Sequence, residues 1–487
     1  MNRLLNGLKE NSNIGTTENG AVTRVTTNSA LYDMFAQGAA MRKRCSDDIQ
    51  LMFKKAYEEN PTYALKCLFY LRDIRGGQGE RRFFRICLAW LALNHSDTML
   101  RLYKFIPEFG RWDDLYCLFN TPVQDEVVEF IREQLMLDME CETPSLLAKW
   151  LKSENTSSEE SRYLGYLTRK ALGLSSKSYR RILSYLREKI NIVERLMSEN
   201  RWEEIQFDKL PSKAGLKYKN AFARRDILKE KYAAFAKSKE TTVNAGTLYP
   251  YEVVQQALRP TDWRNSELSE IDRNMVNKYW DNLTDYFNNA ELNALCVVDT
   301  SASMRGTPLN VAISLGMYCA ERGKGPFANH YISFSRDPRL VEVEGIDFYD
   351  KVRRIYNANL CQNTNIEKTF DMILDTLVQN NCTKDDLPKN LIVISDMEFD
   401  NARDDWSDIK TVMEIQADKW SSKGYLLPHL IFWNVDSRQS NIPMKDNGNV
   451  TYVSGFSPVT FEMIMSGKKG QDLMFDKLNS ERYKDIV

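Results

Sequence analysis

The chain has 487 residues, too many for one ordinary domain of roughly 100–200 residues, so two or three are expected. A 43% hydrophobic content is ample for packed cores, and a formal net charge of -1 excludes a polycationic or polyanionic chain. Any affinity for nucleic acid must then come from a local basic face. Nine cysteines without CxxC spacing, and three histidines with none beside a cysteine, read as small buried thiols of a reduced cytosolic protein rather than as a zinc site.

Residues 1–27 are polar, carry Gly15, Thr16, Thr17 and Gly20, and are expected to form a flexible lead-in. No apolar stretch follows the first Lys and Arg residues, so this is not a secretory signal. No run of about 18 apolar residues occurs anywhere, so no membrane span and a cytoplasmic location are expected.

Residues 28–285 show helical periodicity almost throughout. Apolar positions recur at three- and four-residue intervals in 49–57, 61–71, 82–93, 98–105, 127–137 and 178–197. Turn residues punctuate them at Gly76, Gly77, Gly79, Gly110, Pro122, Gly173 and Pro211. Short helices joined by short turns predict stacked helical hairpins, a degenerate α-helical repeat domain.

Two phrases stand out in this half. The turn 71–82 is rich in glycine and arginine and opens a helix. Its amides and Arg75, Arg81 and Arg82 are candidate anion contacts. The alternative is that the glycines only permit the turn and Arg81 pairs with nearby acids. The phrase Phe109-Gly-Arg-Trp-Asp-Asp-Leu115 reads as a capped helix start with an aromatic anchor. Further on, the stretch 149–239 interleaves cations with Tyr163, Tyr166, Tyr179, Tyr185 and Tyr218. The cations singled out there are Lys149, Lys152, Arg169, Lys170, Arg180, Arg181, Arg187, Lys217, Lys219, Arg224 and Arg225. Cations for the backbone and aromatic rings for the bases are how single strands are held without strict sequence reading. Acidic neighbours such as Glu154, Glu188 and Glu203 argue instead for a solvated helix surface.

From 286 to 487 the pattern changes. Short apolar runs at 295–298, 330–334, 390–395, 430–435 and 450–453 alternate with helices at 309–321, 366–378, 409–421 and 459–465. Buried strands alternating with helices predict a doubly wound α/β domain with a parallel sheet. The first strand ends in Asp299-Thr-Ser301-Ala-Ser303, and 391–396 is a second strand ending in Asp396. Thr364 opens a helix between them. In such a sheet, ligands gather at the C-terminal strand ends. Asp299, Ser301, Ser303, Thr364 and Asp396 offer oxygens alone, which suits Mg²⁺, Mn²⁺ or Ca²⁺ rather than zinc.

These five positions resemble the metal-ion-dependent adhesion site of von Willebrand factor A (vWA) domains. The resemblance implies that Ser301, Ser303 and Thr364 reach the metal, that Asp299 and Asp396 act directly or through water, and that a partner's carboxylate fills an open position. Together with the two helical phrases, the domain order resembles the TROVE proteins, the Ro ribonucleoprotein family. It is also similar to a less characterised bacterial and viral family of the same architecture. That resemblance implies a HEAT-like, TROVE-type helical domain followed by a Rossmann-like vWA domain, binding small noncoding or misfolded RNA. The alternative is a metal-dependent protein-interaction scaffold without RNA. An enzyme is not expected. Aspartyl phosphatases need a second acid where Ser301 stands, and neither a nucleophile–histidine pairing nor a Walker-type loop is legible.

Overall fold

The computed structural model describes residues 12–190, 192–258, 267–287, 291–334, 338–358, 365–400 and 410–487. Thr364, and the first residue of the helix expected at 409–421, lie outside them.

The described chain opens with an antiparallel hairpin, β1 (Ile14–Thr16) and β2 (Val22–Arg24). Helices follow: α1 (Ala30–Gln37), α2 (Ser46–Glu59), α3 (Pro61–Arg72), α4 (Arg82–Asn94), α5 (Gln124–Glu140), α6 (Glu159–Ala171), α7 (Ser176–Ile190), α8 (Ser212–Arg224), α9 (Asp226–Lys237), α10 (Pro250–Leu258) and α11 (Glu270–Asp281). Their boundaries have local causes. Asn60 caps α3 by accepting the Tyr63 amide at 3.1 Å, with Pro61 at the first helical position. The helix expected over 178–197 ends at Ile190, and a separate short helix, Val193–Ser198, follows.

The α/β part contains β3 (Ala294–Asp299), α12 (Thr307–Arg322), β4 (His330–Phe334), β5 (Arg339–Glu342), α13 (Phe348–Ala358), α14 (Ile366–Gln379), β6 (Asn390–Ser395), α15 (Val412–Ser422), β7 (His429–Asn434), β8 (Val450–Ser454), α16 (Val459–Met465) and α17 (Gly470–Leu478). The sheet order is β5-β4-β3-β6-β7-β8. Five strands are parallel as expected, but β5 runs antiparallel to β4, so the sheet is mixed. The sequence reading missed β5 because Arg-Leu-Val-Glu is an exposed edge without a buried apolar run. Its charges suit an unpaired edge. Among the described residues, no helix is long and apolar enough to cross a membrane.

The lead-in expectation needs correcting. Residues 12–27 are tied down. Thr17 Oγ1 donates to Phe399 O at 2.8 Å, and the Glu18 amide donates to Glu398 Oε2 at 2.7 Å. Arg24 pairs with Glu414 at 3.0 Å and exchanges backbone hydrogen bonds with Ile442. The polar residues that suggested solvation are instead partners for loops nearly 400 residues away.

The helical half both begins and ends on the α/β part. α1 packs on β8 and α17, while α10 and α11 pack on α12 and α13. One continuous core of buried side chains runs through both halves.

Candidate metal centre and basic surfaces

β3 and β6 lie side by side in parallel, with Val298 opposite Ile394. This register brings Asp299 and Asp396 to the same C-terminal end of the sheet. Asp299 and Asp396 are fully buried, Ser301 is 2% exposed and Ser303 is half-buried. Asp299 Oδ1 accepts the Ser301 amide at 2.9 Å, and Ser395 Oγ donates to Asp299 Oδ2 at 2.6 Å. The Ser301 and Ser303 hydroxyls are 2.9 Å apart, and the Ser303 hydroxyl bonds the Asp396 carboxylate. Four of the five expected positions therefore converge.

The charge balance at this point is negative. Burial first, and then the charge of Asp396, raises the Asp299 carboxyl well above the usual carboxylate range; burial likewise raises Asp396. One guanidinium, Arg438, offsets Asp396 at 2.7 Å and also holds Glu18 at 2.8 Å. Glu398, fully buried two residues on, has one oxygen without a hydrogen-bond partner among the described residues. Met397 between them has φ of 64°, a left-handed conformation that costs a side-chain residue energy and marks the loop as constrained. Among the described residues, no three His, Cys, Asp or Glu side chains converge as a metal site. The oxygen set here joins two carboxylates to two hydroxyls, the donor chemistry of a hard divalent cation. Arg438, Glu398, Ser395 and Glu18 were missed from sequence, because no motif spacing links them to Asp299.

The glycine-rich turn 71–82 corrects a second expectation. Several of its amides are taken up by the turn's own carbonyls and carboxylates. Those of Gln78, Gly79 and Glu80 donate to Tyr70 O, Asp73 O and Leu71 O, and those of Arg82 and Phe83 donate to Glu80 Oε1. Arg82 donates to Arg44 O at 2.6 Å, and Arg75 reaches Glu108 O at 3.4 Å. The turn is a joint between the halves. Asp73 takes Arg482 and the Tyr483 hydroxyl, and Gln78 Nε2 donates to Thr460 Oγ1 at 3.0 Å. None of the three candidate guanidiniums meets a carboxylate among the described residues, and Arg81 lacks even the carbonyl or hydroxyl contacts of Arg75 and Arg82. The phrase 109–115 is a capped 3-10 segment, Trp112–Leu118, with Trp112 stacked on Phe130.

The basic stretch divides in two. Several of its cations are structural. Arg169 pairs with Glu154 at 2.7 Å, and Arg187 donates to the carbonyls of Ala148 and Leu151. Lys219 is buried on Asp272, Arg225 lies over Trp202, and Lys217 bonds the Tyr218 hydroxyl. Lys149 lies over Trp150, and Lys152 is 3.9 Å from Asp113. Lys170, Arg180, Arg181 and Arg224 are exposed, with no acidic partner among the described residues. A cleft of 730 Å³ beside α7 is lined by Lys177, Tyr179, Arg180 and Arg187 among others.

Fold and site together define a two-part protein, a helical scaffold joined to an α/β domain whose strand ends gather carboxylates and hydroxyls. The chain belongs to the family described as Domain of unknown function (DUF2828), which matches residues 17–163 and 145–291. A second family, Domain of unknown function (DUF7788), matches 293–485. The two matches meet just before β3 begins at Ala294. The chain is also similar to Uncharacterized protein L728 of Acanthamoeba polyphaga mimivirus, with 28% identity over 502 residues, covering 94% of this chain and 86% of the relative.

Proposed function

We propose that this protein binds RNA through its helical half, in the manner of the Ro-like TROVE proteins, and that its α/β half is a vWA-type domain holding a divalent cation. The observation that supports RNA binding is the surface of the α6–α7 hairpin. Tyr163, Tyr166 and Tyr185 are 56%, 43% and 42% exposed there, and Lys170, Lys177, Arg180 and Arg181 stand without acidic partners among the described residues. Positions 163, 166 and 170 share one face of α6, and 177, 181 and 185 share one face of α7. Exposed rings beside unpaired cations are what a single strand needs for stacking and for phosphate neutralisation. The return of the helical half onto the α/β part agrees with a HEAT-like scaffold closed by that domain.

Ser301 and Ser303 at the strand ends, together with Thr364, are the hydroxyls that would hold Mg²⁺, or Mn²⁺ or Ca²⁺, with Asp299 and Asp396 beside the first two or behind a water. The bound ion would leave a position for a carboxylate from a protein partner. The role is binding, not catalysis, in the cytoplasm.

Filter binding of a structured RNA with a single-stranded 3′ tail, at two salt concentrations, tests the first part. Affinity falls with a log–log salt slope of about -0.7 per phosphate contacted. The double variant Arg180→Glu, Arg181→Glu weakens binding to all sequences alike. Absence of binding at low salt would overturn the RNA reading in favour of a protein scaffold. For the second part, Mg²⁺ should raise the melting midpoint of the wild type and leave Asp299→Ala unmoved. Equal shifts in both proteins would remove the metal site.

A further inference from the structure

Beneath the α4 start lies a charged cluster that neither the RNA surface nor the metal centre uses. Arg72 from the end of α3, Arg85 from α4, and Arg111, Asp113 and Asp114 from the adjoining turn meet there. Asp114 is fully buried and takes Arg72 Nη2 and Arg85 Nε, each at 2.6 Å. Burial by itself would raise its carboxyl, but Arg72 and Arg85 outweigh that and hold it below the usual range. Asp113 takes Arg111 Nη2 at 2.9 Å and faces Lys152 at 3.9 Å. Both aspartates are thus already engaged.

Arg81 stands over this cluster as a fourth arginine. Its side chain is exposed at the α4 N-cap; partial desolvation first, then Arg111, Arg85 and Arg72, lower its affinity for its proton, and Asp113 offsets them in part. Four arginines and a lysine surround two carboxylates. Arg85 Nη2 and Arg111 Nε lie 3.2 and 2.9 Å from Asp113 oxygens, yet neither makes an aligned hydrogen bond. The Arg111 guanidinium is fixed in its plane by Trp150, 4.1 Å away. Like charges gathered at a half-buried place are unfavourable unless an anion completes them. Guanidinium forks match the several oxygens of a phosphate better than the two of a carboxylate.

We infer that Arg81, with Arg85 and Arg111, binds a phosphate group, carried either by a nucleic-acid strand or by a small phosphate compound. This site uses none of Lys170, Lys177, Arg180 and Arg181 and does not depend on the RNA reading. Arg81 holds no acidic partner, so its loss should not undo the pairs beneath it.

The test uses the full chain in phosphate-free buffer with three probes: inorganic phosphate, a 5′-phosphorylated single-stranded oligonucleotide and its 5′-hydroxyl twin. Phosphate should raise the wild-type melting midpoint beyond matched sodium chloride. Arg81→Gln should melt at or above the wild type without phosphate, because a repulsion is relieved, and should bind phosphate at least tenfold more weakly. Arg81-dependent binding of both oligonucleotides identifies a backbone phosphate, dependence for the 5′-phosphorylated one alone a terminal phosphate, and a response to inorganic phosphate alone a small compound. Each of these supports the site. An unchanged phosphate response in Arg81→Gln overturns it, as does a wild type that phosphate does not stabilise. Arg180→Glu, Arg181→Glu should keep the phosphate response; losing it there while Arg81→Gln retains it would also overturn the assignment.

Discussion

His429 illustrates how single buried groups are settled in the α/β half. It begins β7, with Nδ1 2.8 Å from Asn390 Oδ1 and Nε2 2.8 Å from Thr451 Oγ1. The amide oxygen can only accept and Thr451 donates, so the network holds a neutral imidazole with its proton on Nδ1. Burial, helped by Lys469, lowers its pKa from 6.5 to about 4. Between these values the unfolded chain binds the proton and the folded protein does not, so stability falls as pH drops from about 6.5 towards 4. The contribution is on the order of 3 kcal/mol. We expect the urea midpoint to decline over that window, and His429→Gln to flatten the decline. An equally steep loss in the variant would assign it to other groups. At the same scale, Asp299, Ser301 and Ser303 were legible because one loop carries them at alternate positions. Asp396 was legible as a second buried strand end. Arg438, which Asp396 and Glu18 share, was not, because side-chain pairing across 42 and 420 positions leaves no local signal.

Among the elements, the turn 71–82 is the one whose role differs most from its sequence appearance. Its glycines looked like an anion loop, yet Gly77 is required by packing. A Cβ there would lie 1.9 Å from the Tyr70 carbonyl oxygen, which is backbone and cannot swing away. Gly110 is similarly confined, its would-be Cβ 2.5 Å from Asp114 Oδ2. Gly77→Ala is therefore expected to cost on the order of 3 kcal/mol, read by urea denaturation, whereas Gly173→Ala, with open space around it, should cost less. Comparable losses at both positions would mean that backbone conformation rather than the Tyr70 contact decides. Buried strands and most long helices were read correctly because their apolar periods are local, though 178–197 is broken after Ile190. The hairpin β1–β2 and the edge strand β5 were not, since one is polar and docked and the other is charged and exposed.

For the whole molecule, the helical half is bound at both ends to the α/β half. The Arg24–Glu414, Lys43–Asp436 and Arg482–Asp73 pairs join the halves, and the buried core passes between them without a break. A shared core should unfold as one unit, so calorimetry of the full chain should give a single cooperative transition. A fragment covering 28–285 alone should expose the apolar faces of α1 and α10 and bind a hydrophobic dye. Two separated transitions, with a fragment that melts like its part of the whole, would show that the halves are independent.

The sequence by itself determined that a helical half precedes an α/β half, where the change occurs, and which strand end carries the Asp-x-Ser-x-Ser loop. Those features follow from apolar periodicity and residue spacing within a few turns of chain. Only the tertiary structure decided that residues 12–27 clasp the strand ends, that the glycine-rich turn is a joint, and that Arg72 and Arg85 converge on Asp114 while Arg81 is left without a carboxylate. Each of these is a pairing of charges or hydrogen-bond partners distant in sequence. Such partners become neighbours only when burial of the common core brings them together and makes an unpaired group costly.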